Sequence, residues 1–229
     1  MNAPVSTPTI TNAPAPWDLQ GRGYISMLRF SRDSRVQDSF LLPSLLGKRG
    51  KSPWGYMMFV DYSHSDVGPY HELLFIPGSF PFEDGRNHLS ISRIFVSSMD
   101  SVVNGQRNWG IPKDVAEFDV QYGKRGVDRV TVSKDGKVFA ELEFRHYPLW
   151  LPFLGKLIPK RFRTLGQHHE GKTFVYAPSA SGWVQPARLV SARVDPEVFP
   201  NLGRGRTVLT MKVARFRMCF PKSDIISHR

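Results

Sequence analysis

Short runs of alternating or wholly apolar residues, broken by glycine and proline, set the character of this chain. Lys137–Phe144 is the clearest: Val138, Ala140, Leu142 and Phe144 share one parity, while Lys137, Glu141, Glu143 and the following Arg145 share the other. Period-two alternation of this kind predicts a half-buried antiparallel strand. Val130–Ser133 precedes it across Lys134-Asp135-Gly136, and Asp-Gly between alternating segments predicts a tight hairpin. Gly23–Phe30, Trp54–Tyr62 and His71–Ile76 read as further strands, the last stopped by Pro77-Gly78. Thr207–Phe220 changes phase, with Leu209, Met211 and Val213 on odd positions and Ala214, Phe216 and Met218 on even ones. One extra residue near Val213-Ala214 returns both sets to one face, which predicts a β-bulge there and turns Arg215 and Arg217 away from the core.

Helical patterning is sparse. Ser34–Leu46 carries Val36, Phe40, Leu41 and Leu45 at roughly helical spacing behind a Ser34 or Asp33 cap, with Pro43 interrupting it. Pro112 suits the first turn of a short helix running through Ala116. No repeat and no linker divides the chain. The expected fold class is therefore mainly β: one domain over residues 17–229, built of strongly curved antiparallel sheet or a barrel, with few short helices. Residues 1–16 hold Pro4, Pro8, Pro14 and Pro16 and no basic residue, which predicts a disordered arm and fits neither a secretory signal nor a transit peptide. Tyr147–Arg163, YPLWLPFLGKLIPKRFR, joins aromatic and leucine residues to a basic end. Its three prolines oppose an amphipathic helix and favour a pocket cover or subunit contact over a membrane-surface element.

The formal net charge of +11 over 229 residues raises a nucleic-acid reading. The cations are spread along the chain, however, and no zinc-finger, leucine-zipper or RNA-recognition pattern accompanies them, so no nucleic-acid partner is expected. Such a surface also attracts an anionic metabolite. Cys219 is the single cysteine, which excludes an intrachain disulfide and suits a reducing compartment; it is read as a small core side chain. No apolar run approaches the ~20 residues that span a bilayer. The expected protein is cytoplasmic, without membrane insertion.

Familiar catalytic motifs are absent: there is no G-x-S-x-G, no P-loop and no strand-linked G-x-G-x-x-G. His168-His169-Glu170 has neither helical histidine spacing nor a cysteine partner and reads as a polar loop, so no metal is expected. The informative stretch is Ser101–Phe118, SVVNGQRNWGIPKDVAEF, where Lys113 follows Trp109-Gly110-Ile111-Pro112. Desolvation by such neighbours lowers an ammonium pKa, and a neutral amine forms a Schiff base with a carbonyl. Bringing a lysine from about 10.4 to about 7 requires roughly 4–5 kcal/mol of differential stabilisation. Asp114 opposes that shift unless, as neighbours on a strand do, it faces the other way.

Three segments then form a joint pattern: PWDLQGRGY (Pro16–Tyr24), GPYHE (Gly68–Glu72) and GQRNWGIPK (Gly105–Lys113). Together they resemble the acetoacetate decarboxylase family from about Pro16 to Phe118, and more loosely through the C-terminal strands. The resemblance implies a cone-like antiparallel β-barrel assembled into homo-oligomers, needing no cofactor and acting on a small oxo acid. It implies Lys113 as the Schiff-base residue, Arg22 as the holder of a substrate carboxylate and Glu72 as the pocket acid. Tyr70, Trp109, Gln106 and Tyr56 are further candidates for lining the substrate site. This chain departs from the family pattern at Asp114, where a second lysine is common, along Tyr56–Phe59, which lacks a second carboxylate, and at Gln106-Arg107. Iminium chemistry on an oxo acid is thus the expectation, with decarboxylation of a β-keto acid first. Aldol or dehydration chemistry through the same lysine, and a non-catalytic binding barrel, are the alternatives.

Overall fold

A computed structural model describes residues 9–31, 34–50 and 52–228. In chain order, β1 (Trp17–Arg29), β2 (Trp54–His64), β3 (Tyr70–Ile76), β4 (Gly78–Pro81), β5 (Asn87–Ser90) and β6 (Arg93–Val96) lead into α1 (Met99–Trp109). After it come β7 (Lys113–Val115), β8 (Glu117–Tyr122), β9 (Val127–Lys134), β10 (Lys137–His146) and β11 (Leu151–Leu154). The chain ends in β12 (Leu165–His169), β13 (Lys172–Tyr176), β14 (Ser179–Val194), β15 (Arg206–Phe220) and β16 (Asp224–Ser227).

Eleven strands form the main sheet in the order β7-β6-β3-β2-β1-β15-β14-β10-β9-β8, with β11 added to β14. A second sheet runs β16-β13-β12-β5-β4. Pairing is antiparallel except at β6–β7 and β5–β12. The main sheet curls: Phe95 of β6 meets Phe139 of β10 at 4.5 Å between ring centroids, and Tyr24 of β1 stacks on Phe144 at 4.0 Å. The expected barrel closure is not made by hydrogen-bonded strands. The two outer strands, β7 and β8, are instead successive in the chain and separated only by Ala116.

The curl gives the sheet two apolar faces. Met57, Phe59, Leu73, Phe75, Phe95, Val132 and Leu142 fill the inside. Tyr62, Leu74, Ile94, Val96, Val213 and Phe216 cover the other face and pack with Trp109 of α1 and with Phe174 and Tyr176 of the second sheet. Each buried side chain of this size contributes about 1.5–3 kcal/mol of burial free energy.

The Asp135-Gly136 hairpin forms with φ of 52° and 73° at its two central residues, which is the geometry that Asp-Gly favours. The bulge falls where the phase change placed it: Gly21 pairs with Phe216 and Gly23 with Val213, so Ala214 and Arg215 together oppose Arg22. Arg215 and Arg217 are exposed, but so are Leu209 and Cys219, neither of which joins the core. Ser34–Leu46 is not a helix. It forms two short 3-10 turns, Val36–Asp38 and Pro43–Leu45, and Asp33 lies outside the described residues.

The segment after Pro112 is strand β7 rather than helix, because the helix lies upstream. Ser98 caps α1 by accepting from Ser101 N, and Gly110 ends it in the left-handed region at φ 63°. Of the arm read at 1–16, residues 1–8 lie outside the described residues, while 9–16 run along α1. There Asn104 Oδ1 accepts from Ala13 N at 2.9 Å and its Nδ2 donates to Thr11 O at 2.7 Å. In Tyr147–Arg163, β11 pairs with β14 and leaves Leu149, Trp150, Leu157 and Phe162 exposed. No helix among the described residues is long and apolar enough to cross a membrane.

Candidate active site

Strand parity and one helix assemble the Lys113 site. β7 pairs in parallel with β6, Ile94 opposite Lys113, which turns the lysine toward the face that packs on α1. Gln106 near the end of α1 donates from Nε2 to Lys113 O at 3.2 Å, tying helix to strand. The lysine stem then crosses α1 at Gly105, where an added Cβ would lie 2.7 Å from Lys113 Cδ and 2.9 Å from Cε. Only a residue without a side chain leaves that path open.

At the end of the path, Nζ is sealed from solvent, with Lys113 as a whole 7% exposed. It donates to Glu72 Oε2 at 3.1 Å and to Ser101 Oγ at 2.9 Å. Tyr62 donates to the other carboxylate oxygen, Glu72 Oε1, at 3.3 Å. The Tyr70 ring centroid lies 5.2 Å from Nζ. Glu72 and Tyr70 alternate on β3 with His71, and Tyr62 faces Tyr70 across the β2–β3 ladder, so all three point the same way.

Electrostatics overturn one expectation. Burial acts to lower the Lys113 pKa and is the largest single influence, but Tyr70 and Glu72 together outweigh it, and the ammonium is held above its ordinary value. Burial also pushes Tyr70 up, so near neutral pH it is an uncharged phenol. The charge that keeps the proton on Nζ there is Glu72. Tyr62 is raised well above its usual value, by burial first and by Glu72 next. Resting Lys113 is therefore an ammonium in a buried ion pair, not a free amine.

Other predicted residues are placed differently. Arg22 is on the opposite face of the sheet, with its side chain 45% exposed and Nε 3.0 Å from Asp61 Oδ2. Its guanidinium lies 3.4 Å from the Tyr122 ring centroid. Burial works against the Arg22 charge, yet Asp61 and Tyr122 raise its pKa overall. Lys212 and Tyr24 extend this second polar cluster, each 2.6 Å from Asp128 Oδ2. Asp114 also faces this side, paired with Lys134, and is thereby removed from Nζ. Trp109 is a packing residue: Nε1 donates to Pro221 O at 2.7 Å, and its ring meets Trp17 edge-on at 5.0 Å. Tyr56 is half-buried at the far end of β2.

Two buried polar residues without a sequence signal lie on the adjoining sheet. Gln167 of β12 and Tyr176 of β13 are buried on the face that the second sheet turns toward Trp109, and Tyr176 lies 6.4 Å from that ring. Gln167 Nε2 and Tyr176 Oη have no hydrogen-bond partner among the described residues. Burial raises the Tyr176 pKa well above its usual value, Gln167 opposing and the Glu72 charge adding. A surface groove lined by Leu19, His64, Leu154, Lys156, Arg217 and Met218 contains none of the Lys113 cluster.

Residues 12–175 match the acetoacetate decarboxylase (ADC) family model. Among solved structures, acetoacetate decarboxylase from Legionella pneumophila aligns with a TM-score of 0.68 at 14% identity, over 97% of this chain and 92% of that one. The enduracididine biosynthesis enzyme MppR, solved with pyruvate, aligns with a TM-score of 0.62 at 15% identity, over 93% and 91%. An acetoacetate decarboxylase-like enzyme from Sphingomonas wittichii RW1 aligns with a TM-score of 0.68 at 10% identity over the whole of both chains. These likenesses are of fold. No curated protein matches the chain.

Two outcomes follow from this geometry. In Gly105→Ala the new methyl displaces a flexible lysine stem rather than backbone, and alanine gains about 1 kcal/mol of helix propensity. With Nζ drawn away from Glu72, the stranded carboxylate outweighs that gain, and the variant is expected to show a lower denaturation midpoint. The raised Lys113 pKa adds stability that is complete below the ordinary value of 10.5 and is lost as pH rises through the folded-state value. Denaturation of wild type and Lys113→Met from neutral to strongly alkaline pH should show the wild-type advantage shrinking only above that ordinary value.

Proposed function

Because the chain belongs to the acetoacetate decarboxylase family, we propose that it is a Schiff-base-forming lyase acting on a small oxo acid, with Lys113 as the attacking amine. The observation that carries this reading is the buried Nζ, set between the Glu72 carboxylate at 3.1 Å and the Ser101 hydroxyl at 2.9 Å.

The cycle begins with a proton. Glu72 Oε2 takes it from the Lys113 ammonium, turning an ion pair into two neutral groups, a change that dry surroundings favour. The free amine adds to the substrate ketone to give a carbinolamine, and Glu72 returns the proton to its hydroxyl, which leaves as water. The resulting iminium sits near the Tyr70 ring, whose face stabilises a cation. The bond to the carboxylate then breaks, carbon dioxide departs, and its electron pair moves into the iminium to form an enamine. Protonation of the enamine carbon and addition of water release the product ketone and restore Lys113.

With Arg22 on the other face, Tyr176 and Gln167 are the donors for the substrate carboxylate. Their buried, unpartnered donor atoms and the influence of Glu72 on Tyr176 support that role. Uncharged donors suit decarboxylation, since a cation stabilises the starting carboxylate more than a transition state whose charge has moved toward the iminium. Aldol-type addition through the same iminium is the second reading. It is favoured by the fold shared with MppR, which has been solved with the condensation product of pyruvate and imidazole 4-carboxaldehyde. Self-association is supported by the exposed apolar side chains of the 147–163 segment.

Incubation with a panel of oxo acids and borohydride, followed by peptide mapping, tests the proposal. A reduced adduct is expected on Lys113 and is lost in Lys113→Met. Glu72→Gln should slow trapping by about 10²-fold. Tyr176→Phe should raise the oxo-acid concentration for half-maximal trapping about tenfold, the loss of one buried hydrogen bond, while Arg22→Gln leaves trapping unchanged. Carbon dioxide release separates decarboxylation from aldol chemistry. No Lys113 adduct with any oxo acid would leave a non-catalytic binding protein.

A further inference from the structure

On the side of the second sheet turned away from Gln167, three side chains that the proposed chemistry does not use converge. His168 of β12, Glu83 of the turn after β4 and His228 beyond β16 bring their ligand atoms within 4.8 Å of one another. His168 Nε2 is 3.0 Å from Glu83 Oε2, and His228 Nε2 is 3.6 Å from Glu83 Oε1. Metal–ligand bonds of about 2.0–2.1 Å in tetrahedral geometry place neighbouring ligand atoms about 3.3 Å apart. The His168–Glu83 separation lies near that value, while His228 approaches the other carboxylate oxygen.

His168 is held from behind. Ser44 Oγ lies 2.9 Å from His168 Nδ1, which fixes the ring and leaves Nε2 to face the carboxylate. Thr173, fully buried, donates to Glu83 and lies 2.7 Å from His228 Nε2, a hydrogen bond that a bound ion replaces. Backbone pairing adds rigidity, since His228 N donates to Gly171 O at 2.9 Å. Two imidazoles and one carboxylate form the nitrogen–oxygen set that borderline divalent ions prefer, and three protein ligands leave a position for water.

We propose that Glu83, His168 and His228 bind a divalent transition ion of the zinc type. The ion cross-links three segments far apart in sequence: the turn after β4, strand β12 and the C-terminal end. His168 and Thr173 pair across β12–β13, the strands whose opposite faces carry Gln167 and Tyr176. The bound ion therefore stiffens the sheet that walls the Lys113 site. The proposal is independent of the Lys113 chemistry.

Calorimetric titration of tag-free full-length protein with zinc chloride is the test, with cobalt absorption as a report on the ligands and thermal denaturation as a report on the fold. One equivalent of zinc is expected, with a rise of several degrees in Tm. Affinity should fall by at least about tenfold in His168→Ala and in His228→Ala. His228 is exposed, so His228→Ala keeps the fold even if His168→Ala does not; Glu83→Gln supplies a third variant. Absence of stoichiometric binding in wild type, or binding undiminished in His228→Ala and Glu83→Gln, overturns the proposal and leaves a hydrogen-bonded surface cluster.

Discussion

The pairing of Lys113 with Glu72 inside an apolar wall is the constraint around which the site is built. Taking both charges out of water is costly, and a buried pair of this kind contributes little net stability; losing one partner costs about 3–5 kcal/mol because the other is stranded. Every polar atom of the pair is therefore served. Nζ has Glu72 and Ser101, and the two carboxylate oxygens have Lys113 and Tyr62. Gly105 gives the lysine stem its path across α1. The buried positions of the helix consequently include Ser101 and Gly105 beside the lysine, with Asn104 beneath the 9–16 segment and Val102 and Trp109 in the core.

Strand alternation keeps two sets of charges apart. Asp61 and Tyr62, His71 and Glu72, and Lys113 and Asp114 are adjacent in sequence and opposite in direction. One face collects Lys113, Glu72, Tyr62 and Tyr70. The other collects Arg22 with Asp61 and Asp114 with Lys134, and farther along Lys212 with Asp128. Had Asp114 shared the face of Lys113, a second carboxylate would have fixed the ammonium more firmly. Lys134 supplies its countercharge across the sheet, so the amine answers to Glu72.

These parities explain what the sequence revealed and what it hid. Strands, the Asp-Gly hairpin and the bulge at Ala214 were legible because period two and turn chemistry are written locally. Helix α1 was hidden, since only Val102 and Trp109 among its buried positions are apolar, too few to mark a stripe; its cap at Ser98 and stop at Gly110 were the available signals. Arg22 was assigned to the substrate carboxylate through the family resemblance; its strand parity, beside a bulge that shifts register, sets it with Asp61 on the other face. Tyr62 stood at the end of a recognised strand without a mark to separate it from core tyrosines. Gln167, Tyr176 and His228 reach their clusters only through the second sheet, whose pairing no local pattern specifies.

The direction of the Lys113 shift recasts how such an amine can be made reactive. A lone lysine lowered to about 7 by desolvation would cost roughly 4–5 kcal/mol of folding free energy. Pairing with Glu72 avoids that cost in the resting protein and leaves the proton within the site. In the proposed reaction, reactivity then depends on how the pair shares one proton, a property of the couple rather than of either residue. In that proposal, exclusion of water by a bound oxo acid shifts the balance toward amine and carboxylic acid. The same proton is then at hand when the carbinolamine hydroxyl must leave as water. Activation by burial and activation by a neighbouring acid are thus successive uses of one contact, the 3.1 Å approach of Nζ to Glu72.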